Sequence, residues 1–375
     1  MNDVTGLELR SIVNADCTLT LSLEEVVLSS PASDEIIVRV EAAPINPSDI
    51  GLLLSSADIR SVRLSGSADR PVATFSVPQG RMEALQTRIG VSMAVGNEGA
   101  GIVVDAGRDA KALIGKRIAM AGGGMYSQYR KLKQNDAVEL PENVSSEAGA
   151  AMFVNPLTAL AFVETMKMEG HKAIVHTAAA SNLGQMLQKI CLHDGIPLVN
   201  IVRSAEQAQI LRDIGAAYVA DSTDPDFTGK LEDMVAQTGA TLAFDAIGGG
   251  TLGSQLLEAM EHAANRTTTE FSRYGSSLFK QLYIYGALDL GPIVTNRMAI
   301  GFEWSVNGFL LGPFIKKAGS EVYAAMRQRA LQEITTTFAS HYSATISLRE
   351  ALDPDTLKSY CRRATGEKYL IDPTR

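Results

Sequence analysis

The chain has 375 residues, more than one hydrophobic core commonly fills, so two domains are expected. A hydrophobic share of 46% with 20% charged residues fits a globular protein, and a net charge of −8 argues against general affinity for nucleic acid or an anionic membrane. Cys17, Cys191 and Cys361 form no CxxC pair and the histidines form no HxxxH or HExxH pattern, so neither a disulfide framework nor a metal site is expected.

The N-terminus, MNDVTGLELR, lacks the apolar stretch of a signal peptide, and no apolar run looks long enough to span a bilayer; a cytoplasmic protein is expected. DEIIVRVEAAP (Asp34 to Pro44) reads as a strand ended by prolines. Ser55 to Val95, with Arg60, Arg63, Arg70, Arg81 and Arg88, reads as an insertion, either a functional lid or a solvated loop. Glu98 to Gly107 and Gly115 to Gly124 are further strands punctuated by glycine, so this region resembles a small barrel or sandwich. From Lys172 strands alternate with helices: KAIVHT, a helix over Asn182 to His193, LVNIV, a helix over Ala205 to Ile214, AYVAD, a helix across Leu231 to Gln237, TLAFD and QLYIYG. That alternation predicts a parallel sheet covered on both faces. Asn265 to Lys280 reads as a second, polar insertion; a helix spans about Glu321 to Phe338, and HYSATISL and EKYLI are strands expected to rejoin the first domain. The resulting domains are 1–154 with 340–375, and 155–339.

HTAAASNLGQ (His176 to Gln185) joins a strand to a helix through small residues. Such a turn lets the backbone approach a pyrophosphate at the helix N-terminus, although a tight turn that binds nothing fits the same residues. Arg203 follows the next strand, where nucleotide-binding folds meet the adenosine ribose. An arginine there suits a 2′-phosphate; a plain surface arginine is the alternative.

EAAPINPSDI (Glu41 to Ile50), VGNEGAGIVV (Val95 to Val104), NPLTAL (Asn155 to Leu160), FDAIGGG (Phe244 to Gly250) and YIYGAL (Tyr283 to Leu288) resemble, in this order, the motifs of medium-chain dehydrogenases/reductases. The likeness is greatest to the quinone oxidoreductase and enoyl thioester reductase branches and covers nearly the whole chain. It implies an α/β protein with a GroES-like β-barrel catalytic domain, a Rossmann doubly wound parallel sheet domain, NADPH in the cleft between them, and a homodimer. It also implies cofactor contacts at Thr158, Ala180, Ser181, Asn182, Leu183, Gly184, Arg203, Ile247, Gly248, Tyr285, Gly286, Ala287 and Lys368. Asn182 stands where the family usually has glycine, a place where left-handed geometry is tolerated by asparagine.

The zinc alcohol dehydrogenases of this family carry cysteine and histidine where this chain has Asn46 and Asn97, and the third ligand position falls near Val154 or Asn155. Neutral amides are poor zinc ligands, so zinc-independent hydride transfer from NADPH to a quinone or electron-poor enone is implied. Asn46, Tyr126 and Asn155 are the candidates to contact the acceptor; a turn asparagine, a barrel aromatic and a helix cap are the respective alternatives. Enoyl thioester reductases place a tyrosine near the position of Ala57, so that activity stands second, and a non-catalytic NADPH-binding protein third.

Overall fold

A computed structural model describes residues 3–267 and 272–375, in two units: Met1–Val154 with Leu331–Arg375, and Asn155–Ala330. The first unit starts with antiparallel strands β1 (Val4–Val13) and β2 (Thr18–Leu28). Leu19, Leu21 and Leu23 alternate with polar residues along β2 and are buried, as a one-sided sheet requires. β3 (Glu35–Pro44) is nearly continuous in apolar residues and leads into α1 (Pro47–Leu54), with Asn46 at the cap and a proline at the first helical position. β4 (Asp58–Gly66) and β5 (Pro71–Ser76) follow, then β6 (Met93–Ala94). Together they form a sheet of order β4-β5-β2-β1-β6. The stretch 55–95, expected as an inserted loop, therefore widens a sheet: Ala73 and Phe75 of β5 are core residues, while most of β4 faces outward. β7 (Glu98–Ala106), β8 (Arg117–Ala121), β9 (Tyr129–Lys133) and β10 (Ala137–Glu139) belong to a second sheet, and α2 (Ser146–Gly149) ends this part of the chain.

The second unit begins along α3 (Val154–Met168). It continues through β11 (Ile174–His176), α4 (Asn182–Asp194), β12 (Leu198–Val202), α5 (Ala205–Asp213), β13 (Tyr218–Asp221), α6 (Phe227–Thr238), β14 (Leu242–Asp245) and α7 (Leu252–Asn265). β15 (Lys280–Ile284), β16 (Trp304–Gly308), α8 (Leu311–Ala318) and α9 (Ser320–Gln332) complete it. All strand pairs are parallel, in the order β13-β12-β11-β14-β15-β16. This is the doubly wound dinucleotide-binding order, with its reversal between β11 and β14. Phe162 of α3 stacks on Phe244 of β14 with centroids 3.9 Å apart, which fixes that helix to the sheet. The helix expected over Glu321 to Phe338 stops at Gln332, and Gly319, with φ 87°, separates it from α8.

Of the polar stretch from Asn265 to Lys280, residues 268–271 lie outside the described residues. The described remainder is tied to α7: the buried Glu261 carboxylate accepts from Ser276 N at 2.7 Å, Ser276 Oγ at 2.6 Å and Lys280 Nζ at 2.6 Å. The expectation that no run is long and apolar enough to span a bilayer needs correction: Ser146–Met168 has the length and composition to do so, but it is mostly buried inside the protein.

The chain then returns to the first unit as β17 (Ala344–Ile346), α10 (Pro354–Cys361) and β18 (Tyr369–Ile371). β18 pairs with β3 and β17, giving the order β10-β8-β7-β3-β18-β17 with β9 also on β3. Leu352, Leu357 and Ile371 join the apolar core of that unit.

Candidate functional site

In the second unit, β11 ends at the point where the sheet order reverses, and a tight turn carries the chain into α4. Ala178 takes the left-handed conformation there, with φ 49°. Asn182, at the family's glycine position, starts the helix without the left-handed geometry it would tolerate. Ser181 is the cap, its Oγ accepting from Gly184 N at 3.2 Å. The Ala179 carbonyl lies against Gly184, where a Cβ would come within 2.1 Å of it. Only glycine lets the helix sit this close to the turn, and the first turn of α4 presents its amides and dipole at the sheet's carboxyl edge.

Arg203 directly follows β12 and is exposed, and among the described residues no carboxylate pairs with it. Its backbone N donates to Gln207 Oε1 at 3.0 Å, and Ser204 caps α5. On the other side of β11, Asp245 ends β14. Its buried carboxylate accepts from Thr177 Oγ1 at 2.6 Å, Ile247 N at 2.9 Å and Gly248 N at 3.0 Å. The Ile247 carbonyl accepts from Asp289 N at 2.8 Å. The amides of Ile247 and Gly248, expected among the cofactor contacts, are spent on Asp245. Tyr285, Gly286 and Ala287 leave the end of β15 beside them. Asn155 and Thr158 lie on the first turns of α3, and Asn155 is inside the helix rather than at its cap.

The first unit gathers a buried polar cluster. Asn46 Nδ2 donates to Glu98 Oε1 at 2.8 Å, and Glu98 Oε2 accepts from the amides of Phe153 and Val154, each at 2.8 Å. Asp49 accepts from Asn46 N at 2.9 Å and Asn97 N at 2.8 Å. Burial raises the Asp49 carboxyl to about 7 against these amide bonds, and burial likewise raises Glu98. Lys368 Nζ lies 5.6 Å from the Tyr342 ring centroid; burial lowers its pKa, while Glu98 and Asp49 oppose the shift. Tyr126 is wholly enclosed in the apolar core, its hydroxyl donating to the Pro44 carbonyl at 3.1 Å. Gly96, with φ 97°, makes room for that ring, since a Cβ would meet it at 2.6 Å. Tyr126 thus packs as a barrel residue, with its hydroxyl bonded to the Pro44 carbonyl. The Asn46 amide is likewise turned inward, to Glu98.

Asn97 Nδ2 donates to Ser48 Oγ at 3.0 Å. Among the described residues no group of three or more His, Cys, Asp or Glu side chains is arranged to hold a metal ion. Sequence reasoning missed His176, Thr177 and Asp245, although all three lie inside quoted motifs. A lone polar residue at a strand end carries no periodicity that marks it.

No family model matches the chain. It is 29% identical over 207 residues to a mitochondrial enoyl-[acyl-carrier-protein] reductase of Xenopus tropicalis, covering 53% of this chain and 51% of that protein. The chain spans about half the length of the first curated relatives it matches, among them a quinone oxidoreductase of Pseudomonas aeruginosa. A solved structure named as a candidate NADPH:quinone reductase from Mesorhizobium loti aligns with a TM-score of 0.71 at 25% identity, over 100% of this chain and 99% of that one. The Escherichia coli quinone oxidoreductase, solved with NADPH, shares the fold at a TM-score of 0.67 and 20% identity, over 99% of this chain and 100% of that one. The relatives and structural neighbours of this chain include quinone oxidoreductases and enoyl thioester reductases of the medium-chain dehydrogenase/reductase family, the family that its ordered motifs resemble.

Proposed function

We propose that the chain is an NADPH-dependent oxidoreductase that passes hydride to a quinone or another electron-poor enone without zinc. One observation carries the reading: α4 starts at the reversal of the sheet, with a glycine-tight turn and, at the end of the next strand, Arg203, with which no carboxylate among the described residues pairs. Amides pointing out of a helix N-terminus suit a pyrophosphate, and an exposed guanidinium suits a 2′-phosphate. Reduced nicotinamide supplies the hydride. Ala180, Ser181, Asn182, Leu183 and Gly184 hold the pyrophosphate, Arg203 the 2′-phosphate, and Asn155, Thr158 and the segment Tyr285–Ala287 the ring. Zinc independence rests on Asn46 and Asn97, whose amides donate to Glu98 and Ser48 and offer neither thiolate nor imidazole.

Reduction of an enoyl thioester is the second reading, favoured by the mitochondrial relative. Purified protein with NADPH, a panel of quinones and enones, and an enoyl thioester separates the two. Turnover with quinones exceeding that with the thioester is expected; the reverse order selects the second reading, and no turnover with any acceptor selects a binding protein.

The same proposal includes a soluble, cytoplasmic homodimer. Among the described residues β16 is an outer strand of the second unit's sheet, and Phe302 and Leu310, which flank it in sequence, are each 69% exposed. An unpaired edge beside apolar side chains suits pairing with a second copy. Light scattering on the eluting protein tests it, with twice the chain mass expected.

A further inference from the structure

Two side chains at the carboxyl edge of the second unit's sheet are not used by the phosphate-binding turn. His176 ends β11, is fully buried, and holds Nε2 2.8 Å from the Tyr285 hydroxyl. The two rings stack with centroids 5.7 Å apart and planes 15° apart. Phe162 packs edge-on against Tyr285 at 4.9 Å. His176 Nδ1 is buried with no hydrogen-bond partner among the described residues.

Burial pushes the imidazole down to about 3, so at neutral pH the ring is uncharged and carries one N–H. A proton on Nδ1 leaves that buried N–H unpaired. A proton on Nε2 leaves only a lone pair unpaired and gives Tyr285 a donor. Orphaned buried N–H groups are rarer in folded proteins than unsatisfied acceptors, so the second tautomer is preferred. The Tyr285 oxygen then accepts from His176, and its own proton is uncommitted among the described residues. The sheet order sets what lies there. With the adenosine at β12 and the pyrophosphate at the β11–α4 turn, the ring half of an extended dinucleotide reaches the ends of β14 and β15, where Tyr285 stands.

We propose that Tyr285 donates a hydrogen bond to a ligand carbonyl oxygen at this edge, and that His176 is its positioning residue, fixing the phenol through Nε2–H. The inference rests on the nucleotide-binding reading above. A carbonyl oxygen has two sources here, the carboxamide of nicotinamide or the carbonyl of the hydride acceptor.

Tyr285→Phe keeps the stack and deletes the hydroxyl. If the carboxamide is the partner, NADPH affinity falls about 10-fold while affinity for adenosine 2′,5′-bisphosphate, which lacks the ring, is unchanged. If the acceptor is the partner, both affinities hold and quinone kcat/KM falls by about the same factor. His176→Leu should reproduce the loss, and His176→Gln, which keeps an N–H in reach, should restore most of it. The tautomer is read directly on the wild-type protein by nitrogen-15 NMR: a proton on Nε2 is expected, and a proton on Nδ1 overturns the proposal even where the variants fail to fold. Wild-type protein that binds no NADPH defeats the nucleotide reading together with this one. Wild-type protein that binds NADPH, with Tyr285→Phe matching it in both affinities and in turnover, defeats this proposal alone.

Discussion

Gly184→Ala tests the phosphate-binding turn with one methyl group. A Cβ at this position would stand 2.1 Å from the Ala179 carbonyl oxygen, 2.6 Å from its carbon and 2.8 Å from the Ala179 Cα. All three contacts are backbone, so no side chain can swing away. Reaching ordinary contact requires the helix start and the turn to separate by roughly 1 Å, which costs about 1–3 kcal/mol as overpacking. At ~2–4 °C per kcal/mol, the second unit should melt about 2–12 °C lower. The same shift weakens the Ser181 cap on Gly184 N and re-aims the first-turn amides. Misplacement on this scale can cost up to about 100-fold, so NADPH affinity should fall ~10- to 100-fold. NADH should lose by the same factor, because both cofactors carry the pyrophosphate. Fluorescence titration with each cofactor, beside calorimetry of the same preparations, measures both effects. Gly312→Ala, at a helical glycine with nothing within 4 Å, is the matched control and should leave binding unchanged. A Gly184→Ala protein that binds both cofactors like wild type would refute the placement of the pyrophosphate.

Arg203→Ala should lower NADPH affinity ~10- to 100-fold and leave NADH affinity within a factor of about two, since a charge-assisted contact contributes roughly 1.5–3 kcal/mol; equal losses would remove Arg203 from the 2′-phosphate. Lys280→Met strips the cation from the buried Glu261 carboxylate, and removing one partner of such a pair costs about 3–5 kcal/mol, so the second unit should melt lower in calorimetry. Glu261 is raised by burial but lowered more by its bonds to Lys280 and Ser276, ending at about 2. Its stabilisation is therefore complete above the ordinary carboxyl pKa and is lost as pH falls from about 4.3 through about 2. In Glu261→Gln that acid-range slope should flatten; an unchanged slope in urea titrations at stepped pH contradicts the assignment. Asn46→Ala removes a donor from the buried Glu98 and should cost about 1–3 kcal/mol of stability with NADPH affinity intact, whereas unchanged melting with a large loss of quinone turnover would return Asn46 to the acceptor.

The parallel sheet was legible because its central strands are buried on both faces and read as short, mostly apolar runs between helices. Leu198–Val202 is buried at all five positions, and its predicted and observed limits coincide. Arg203 followed from that limit alone. β4 was not legible, since DIRSVRLSG faces largely outward and shows no alternation that a one-sided strand should have. The turn before α4 was recognised from its small residues, but Asn182, which tolerates left-handed geometry, does not use it, and Ala178 does. Composition favours asparagine there, whereas the hydrogen bonds of the turn decide the position. The inward roles of Asn46 and Tyr126 depend on Glu98 and Pro44, more than 50 and 80 residues away in sequence, and no local pattern carries such pairings.

The central claim is that the second unit binds NADPH, held by its 2′-phosphate, and delivers its hydride to a quinone. The ratio of kcat/KM for NADPH to that for NADH, measured with one quinone in the presence of a strong chelator, tests it most directly. The account predicts a ratio of about 10 or more that falls to near one in Arg203→Ala, with chelator making no difference. A wild-type ratio at or below one, or activity abolished by the chelator, would contradict it.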